Sequence, residues 1–442
     1  MKNKKFGIVL FIILFSYFLI LMDNSIIFTG TVKIASELHL NESELSWVSN
    51  AYTITFGGFL LLAGRLGDFV GRKRIFLAGL VIFGLSSLAV GLSQNPMQII
   101  SFRAIQGVGS AILAPTSLAI LMDNYQGEMR MKAISYYGAT AGIGSSVGLL
   151  LGGWLTSAFS WRMGFLINVP FTIFLIMLTV FKIFDKNEPQ TTKIDFLGAF
   201  FSVIFALLFV YGITVSNMLL IILSALILVL FIVWEHSQTS PIMPLALFTN
   251  RIRSGAYIAR FTFMMAMLTY WFILPQIMQN HYGFTPLQAG MGFLPLTIVN
   301  FIAALYLPRL TVKLGNNKVM ILGQGILLVG MLLSAIIDPR NGYLLTIGLP
   351  MILVGIGQGW LLAPLTSAGV EGVPSELSGA ASGMTNTVHQ IGGPVGLSIV
   401  VLFTSNVLGN WLSYYHMVMG FVVAFNALGL GVLLFTNLGR KK

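Results

Sequence analysis

The feature that most restricts this chain is a series of apolar runs, each about 20 residues long, that recurs along its whole length. A helix rises 1.5 Å per residue, so each run is long enough to cross a bilayer core of ~30 Å. Fourteen spans are expected, near 6–30, 44–64, 74–93, 97–122, 132–156, 164–184, 194–215, 218–236, 252–280, 286–308, 318–337, 342–364, 377–408 and 413–436. Hydrocarbon offers the backbone no hydrogen-bond partner, so segments of this length must satisfy themselves as helices. The fold class is therefore an all-α membrane protein. Only 9% of the residues are charged, against roughly 25% in soluble domains, and no soluble domain is expected. The first run follows Met-Lys-Asn-Lys-Lys, as a secretory signal does. It is too long for one and lacks a small-residue cleavage site, so it is read as a retained span.

Basic residues set the orientation. With the N-terminus inside, the even-numbered connections and both termini face the cytoplasm. Twenty of the 25 Lys and Arg residues then lie inside, among them Arg65, Arg72, Lys73, Arg74, Arg130, Lys182, Arg251, Arg309 and Lys318. Only Lys33, Arg162 and Arg340 lie outside. This is the positive-inside pattern of a multi-pass plasma-membrane protein with both termini cytoplasmic. The net charge of +11 is accounted for by topology, so nucleic acid is not an expected partner.

Enzyme and pump chemistry find no support. No Gly-x-x-x-x-Gly-Lys-Ser/Thr loop occurs, and no connection is long enough to hold a nucleotide-binding domain. Cysteine is absent, and His39, His236, His281, His389 and His416 form no pair at metal-ligand spacing. No metal and no cofactor is expected. A driving force must come from a gradient or a partner subunit.

Asp23 is the only carboxylate expected well inside a span; the other thirteen acids fall in or beside connections. A charge at membrane depth costs several kcal/mol and is functional by default, the alternative being a structural ion pair. Span one runs outward, which puts Asp23 ~10 Å below its outer end, and span four runs inward, which puts Arg103 ~9 Å below the same surface. They are opposite charges at one depth. Arg103 is expected to stabilise ionised Asp23 while burial opposes ionisation, leaving the carboxylate poised for proton exchange. The alternative for Arg103 is snorkelling to the headgroups.

The second half of the chain echoes the first. At a constant offset of 244, Arg309, Leu310, Gly315 and Lys318 fall where Arg65, Leu66, Gly71 and Arg74 stand, and Val312 replaces Asp68. Repeated halves with a site between them are the usual construction of secondary transporters. Residues 1–186 and 238–442 are read as two six-helix bundles, and 187–237 as two additional spans.

The Gly64–Arg74 segment, Gly-Arg-Leu-Gly-Asp-Phe-Val-Gly-Arg-Lys-Arg, resembles the signature between spans two and three of the major facilitator superfamily. Leu21-Met-Asp-Asn-Ser-Ile-Ile27, Trp47-Val-Ser-Asn-Ala-Tyr52 and Arg103-Ala-Ile-Gln-Gly-Val-Gly109 are similar to span motifs of its fourteen-span drug:proton antiporter family, the QacA-like multidrug exporters. The resemblance covers essentially the whole chain. It implies an exporter that trades protons for lipophilic, often cationic antimicrobial compounds and dyes. It implies that Gly64, Arg65, Asp68, Gly71, Arg72 and Arg74 form a conformational switch, with Asp68 anchoring a closed inner gate. Gly144, Gly148, Gly152 and Gly153 in span five look like the antiporter-specific motif, although Leu149 stands where that motif has proline. Glycines at a spacing of four also suit ordinary tight helix packing.

His389 is a second titratable candidate, at a position where the family often has arginine; a neutral, hydrogen-bonded imidazole is the alternative. The pocket is expected to be apolar with few polar groups, at the interface of the halves. Its candidates are Asn24, Tyr52, Gln106, Trp271, Gln276, Gln279, Asn300 and Trp360, beside an adaptable surface of Met264, Met265 and Met267. The expected partners are small lipophilic molecules, protons and membrane lipid, and a monomer is expected. The competing function is a proton symporter or facilitator for a small organic nutrient. A passive cation channel is disfavoured, since no ring of pore-lining acids appears.

Overall fold

The computed structural model describes residues 6–184, 195–239, 241–374, 377–407 and 409–437, without the side chains at 68, 141 and 378. Fourteen helices in it are long and apolar enough to cross a membrane. In chain order they are α1 (Ile8–Leu38), α2 (Glu42–Val70), α3 (Arg72–Gly91), α4 (Pro96–Asn124), α5 (Gly127–Ala158), α6 (Trp161–Lys182) and α7 (Phe196–Thr214). They continue with α8 (Met218–Ser237), α9 (Arg251–Asn280), α10 (Pro286–Leu314), α11 (Asn316–Ile336), α12 (Leu344–Val370), α13 (Gly379–Val407) and α14 (Trp411–Asn437).

Local chemistry marks several starts. Asn41 accepts from the Glu44 amide while the Glu44 carboxylate accepts from the Asn41 amide, a capping box that opens α2. Thr285 and Gln288 make the same reciprocal pair at the head of α10, with Pro286 in its first turn.

The Gly64–Arg74 segment differs from the expected loop. Helix α2 continues through Val70 and α3 begins at Arg72, so the reversal falls on Gly71 alone, at φ 105° and ψ 130°. The internal repeat is matched here in three dimensions. Gly315, 244 residues later, makes the corresponding junction between α10 and α11 at φ 83° and ψ 154°. A positive φ in this range is open to glycine and strained for residues with a Cβ, which explains why both copies keep it.

The α2–α3 and α10–α11 junctions lie on one face of the molecule, here the basic face; the opposite is the distal face. Helices α1–α6 pack together, as do α9–α14. The halves meet near the distal face on one side. The Leu287 amide donates to Ser157 Oγ at 3.0 Å, and Gln279 Nε2 donates to the Thr29 carbonyl at 3.2 Å. Along α5, positions 138, 142, 149 and 153 share one stripe. At its distal end a Cβ on Gly153 would sit 2.6 Å from the Pro286 carbonyl, and the Leu149 carbonyl presses on Gly290. Toward the basic face, Gly138 and Gly142 have no neighbour within 4 Å of where a Cβ would stand. One helical stripe is thus covered by the second half at the distal end and bare ~10 Å below it. The halves splay toward the basic face on this side.

On the other side α2 and α13 stay in contact over most of their length, from Asn50 with Ser398 (3.0 Å) through Gly57 with Gln390 to Leu61 with Gly383. The additional helix α7 seats on that seam. Thr214 Oγ1 donates to the same Ser398 hydroxyl at 2.9 Å, Val203 fills the space over Gly58, and Tyr211 meets Trp47 edge to face. Helix α8 is peripheral, with 17% of its most apolar stretch buried. Of the two extra helices, α7 therefore lies against the α2–α13 seam and α8 packs on the outside of α7.

Asp195 and Glu235, expected in or beside connections, are buried at 9% and 2% exposure. Asp195 Oδ1 accepts from the Gly198 amide and from Trp234 Nε1, both at 2.8 Å. Among the described residues its Oδ2 and Glu235 Oε1 have no hydrogen-bond donor, and they converge over Gly198, whose missing Cβ leaves them room. Two carboxylates this close and out of water repel when both are ionised, and a proton held between them would relieve that repulsion. Glu235→Gln supplies an amide donor in place of that proton and is expected to change stability by about 1 kcal/mol or less. Thermal denaturation of the purified protein checks this, and a loss of several kcal/mol would show both groups to be ionised.

Candidate functional site

Asp23 lies in mid-α1 and is completely buried. Helix α1 runs eight residues past its expected end to Leu38, so Asp23 sits ~22 Å along the helix from that end, deeper than the sequence suggested. The pairing with Arg103 is present nonetheless. Arg103 Nη1 donates to Asp23 Oδ2 at 2.8 Å, and both side chains have zero exposure. Snorkelling of Arg103 to a headgroup layer is excluded by that geometry.

The carboxylate has three donors from two helices, α4 and α6. Besides Arg103, Gln106 Nε2 and Asn168 Nδ2 donate to Asp23 Oδ1 at 2.9 and 2.7 Å. Arg103 is held in turn by the Val48 carbonyl on Nε (3.1 Å) and by Gln106 Oε1 on Nη1 (2.7 Å). Its guanidinium carbon lies 4.1 Å from the Tyr52 ring centre, and the Tyr52 hydroxyl donates to Ser110 at 2.8 Å. Gln106 also donates to Ser87. A desolvated cation over an aromatic face gains about 2 kcal/mol, which supports a charge kept far from water. Asn168 Oδ1 and Arg103 Nη2 are buried without partners among the described residues. The network draws on α1, α2, α3, α4 and α6, all in the first half.

This placement corrects two pocket candidates. Tyr52 and Gln106 are fully enclosed members of the Asp23 network, with no surface facing the cleft. The sequence reading missed Asn168 and Ser87. Asn168 was discoverable as an amide side chain within an apolar run; Ser87 carries no comparable signal, because many buried serines simply bond to their own helix, as Ser86 does.

The other pocket candidates scatter. Gln279 holds the distal contact between halves, and Gln276 donates to its own helix at Phe272. Trp271 is half-buried against Phe28, with ring centres 6.4 Å apart. Asn24 Oδ1 and Trp360 Nε1 are buried polar atoms without partners among the described residues, and Asn300 lies where α10 passes Gly355 and Gly359 of α12. Met264, Met265 and Met267 are buried core residues at 4%, 7% and 0% exposure, so they provide no open adaptable surface. His389 is half-buried on α13, stacked on Phe263 at 6.5 Å, with its Nδ1 buried and unpartnered.

The glycines of α5 divide by face. A Cβ at Gly148 would lie 2.5 Å from the Met22 carbonyl, one at Gly152 2.6 Å from the Ile26 carbonyl, and one at Gly144 3.0 Å from Leu21 Cβ. These three seat α5 on the stretch of α1 that carries Asp23, whereas Gly153 faces the second half. Gly148→Val must push Met22, the neighbour of Asp23, away from α5. It is expected to lower stability by about 1–3 kcal/mol and transport at least tenfold, measured by thermal unfolding and by flux in proteoliposomes. Wild-type flux would show that α1 yields without displacing the carboxylate.

At the α2–α3 junction Arg72 Nη1 pairs with Asp123 Oδ1 at 2.5 Å and donates to the Ala119 carbonyl, tying the turn to the end of α4. Lys73 donates to the Val180 carbonyl. Arg74 is exposed, Gly64 faces Pro115 of α4, and Arg65 is half-buried. The Asp68 side chain lies outside the described residues.

A splayed pair of membrane-spanning helical halves with a buried ion pair within one of them is the frame of a membrane transport protein. The model of the Major Facilitator Superfamily matches residues 13–397, and the chain belongs to that family. It is 32% identical over 403 residues to the MFS-type transporter EfpA of Mycobacterium tuberculosis, covering 88% of this chain and 75% of that protein. It is likewise 32% identical to the cephamycin export protein CmcT of Amycolatopsis lactamdurans, covering 88% and 83%. The puromycin resistance protein pur8 of Streptomyces alboniger is 29% identical, covering 97% and 89%. Among solved structures, a peptide transporter, POT, in complex with sulfate superposes with a TM-score of 0.75 at 16% identity, covering 99% of this chain and 96% of that one. A likeness at that identity shows the fold alone.

Proposed function

We propose that this protein is a proton-coupled exporter of lipophilic antimicrobial compounds, working by alternating access. The observation that carries the proposal is the Asp23–Arg103 pair, at zero exposure with three donors on one carboxylate. So completely satisfied a group is the ionised, occluded form. Protonating Asp23 removes its attraction for Arg103 and frees that guanidinium to re-pair within the network, which gives a proton a way to change helix packing in α1, α4 and α6. The printed names of the relatives, cephamycin export and puromycin resistance, support outward movement of drugs.

By the positive-inside rule the basic face is cytoplasmic, the protein sits in the plasma membrane with both termini inside, and the splayed state is the one that loads cargo. Residues 1–186 and 238–442 are the rocking bundles, and the 187–237 pair stays with the α2–α13 seam through α7. Asp68 and the Gly64–Arg74 segment close the cytoplasmic side in the opposite state. With one carboxylate in the Asp23 site, one proton enters per transport event. Exchange for a monovalent cation is electroneutral. Exchange for a neutral or zwitterionic cargo also draws on the membrane potential, ~2.3 kcal/mol per charge per 100 mV.

Leu149 in place of the motif proline keeps a second reading, symport of an organic nutrient. Everted vesicles separate the two. An exporter takes up dye when the lumen is acidified, and added substrate dissipates that gradient. A symporter moves both species in the same direction, and a channel is indifferent to the proton gradient.

A further inference from the structure

We infer that the cleft between the halves carries a subsite for the carboxylate of an amphipathic aromatic cargo, centred on Arg260. Arg260 stands nine residues into α9, ~14 Å from the basic face, and is 93% buried at 7% exposure. Among the described residues it has no carboxylate partner. Its Nη1 donates to Thr366 Oγ1 at 2.6 Å and to the Leu362 carbonyl at 3.4 Å, both neutral groups on α12, and its Nε is buried with no acceptor. Arg103, the other arginine deep within a span, has its anion inside the protein. Arg260 does not.

A buried, unpaired guanidinium is costly, and a fork of N–H donors matches a carboxylate in geometry as well as charge. The surroundings fit the remainder of such a cargo. Across the divide, Tyr17 of α1 stacks on Tyr137 of α5 with ring centres 4.0 Å apart and planes within 9°, at the depth of Arg260. The Tyr137 hydroxyl donates to the Ala114 carbonyl, which fixes that pair on α4. His389 of α13 stacks on Phe263, one turn along α9 from Arg260, and its Nδ1 has no partner among the described residues; Tyr17 faces Arg260 within electrostatic range. One cation, one imidazole and a stacked aromatic pair, drawn from α9, α13, α1 and α5, converge from both halves. A planar molecule with a single carboxylate is the chemistry that satisfies all three. A purely cationic molecule meets like charge here.

The subsite rests on the export proposal only for the role of the cleft, and its test needs no gradient. Rhodamine B, which carries a free carboxylate, and its ethyl ester, which does not, are titrated against the purified full-length protein in detergent by fluorescence polarisation. Rhodamine B is expected to bind about tenfold tighter than the ester, and in Arg260→Gln the ratio of the two affinities is expected to fall to near one. Arg260→Lys keeps the charge without the planar fork and should give an intermediate ratio, so a poorly folding Gln variant does not decide the matter. A parent ratio near one, a ratio unchanged in both variants, or no binding of either dye overturns the inference. Proton-driven export of the ester with a ratio near one would sink the subsite and leave the export proposal standing; a tenfold ratio without proton coupling would do the reverse.

Discussion

Asp23→Asn is expected to reduce pH-driven export in everted vesicles to the background of empty membranes while the protein remains folded. The asymmetry has a physical basis. If the cycle passes through protonated Asp23, the protein already visits a state with a neutral group at that position, and asparagine resembles it. The amide oxygen still accepts from Gln106 or Asn168, which donate to Asp23 Oδ1 at 2.9 and 2.7 Å. Arg103 keeps the Val48 carbonyl, Gln106 Oε1 and the Tyr52 face. Melting within a few degrees of the parent is therefore expected, together with loss of coupling, because asparagine cannot release a proton. Two measurements are needed, dye accumulation after a pH jump and thermal unfolding of the purified variant. Retained pH-driven accumulation would refute the coupling role. Loss of both folding and flux would make the pair structural.

Arg103→Ala is expected to behave differently, with a stability loss of about 3–5 kcal/mol. It strands an ionisable carboxylate at zero exposure, opens the space above Tyr52, and leaves the Val48 carbonyl and Gln106 Oε1 without their donor. Little folded protein should reach the membrane, visible as a collapsed monodisperse peak in fluorescence-detected size exclusion. The double variant Asp23→Asn/Arg103→Ala removes the stranded charge and should recover part of the loss, although no transport. If Arg103→Ala were as stable as the parent, the Asp23 proton would have to be bound already in the state described here, and the ionised assignment would fail.

Much of this was legible beforehand because the bilayer is an unforgiving solvent. Fourteen apolar runs had to be helices, and a lone acid and a lone arginine at one depth in the first half had to find each other. The pairing survived an error in depth, since α1 is longer than its apolar core: Lys33 and Glu37 interrupt the hydropathy without breaking the helix. The Gly64–Arg74 segment misled for a related reason. Charge and glycine suggested a loop, but the helix backbone runs on through positions 65–70, and only Gly71 leaves helical geometry.

The sequence by itself determined the helices, the repeat and the identity of the central charges, because hydrophobic length and the desolvation of charge are local properties of the chain. Only the tertiary structure decided which polar groups share a site. Tyr52 and Gln106 proved to be ligands of the ion pair and not walls of the cleft, Asn168 supplied a donor from five helices away, and Arg260 emerged without a counter-ion among the described residues. Contacts among helices distant in sequence depend on rotation about each helix axis, and in spans apolar on every side no amphipathic stripe records that rotation.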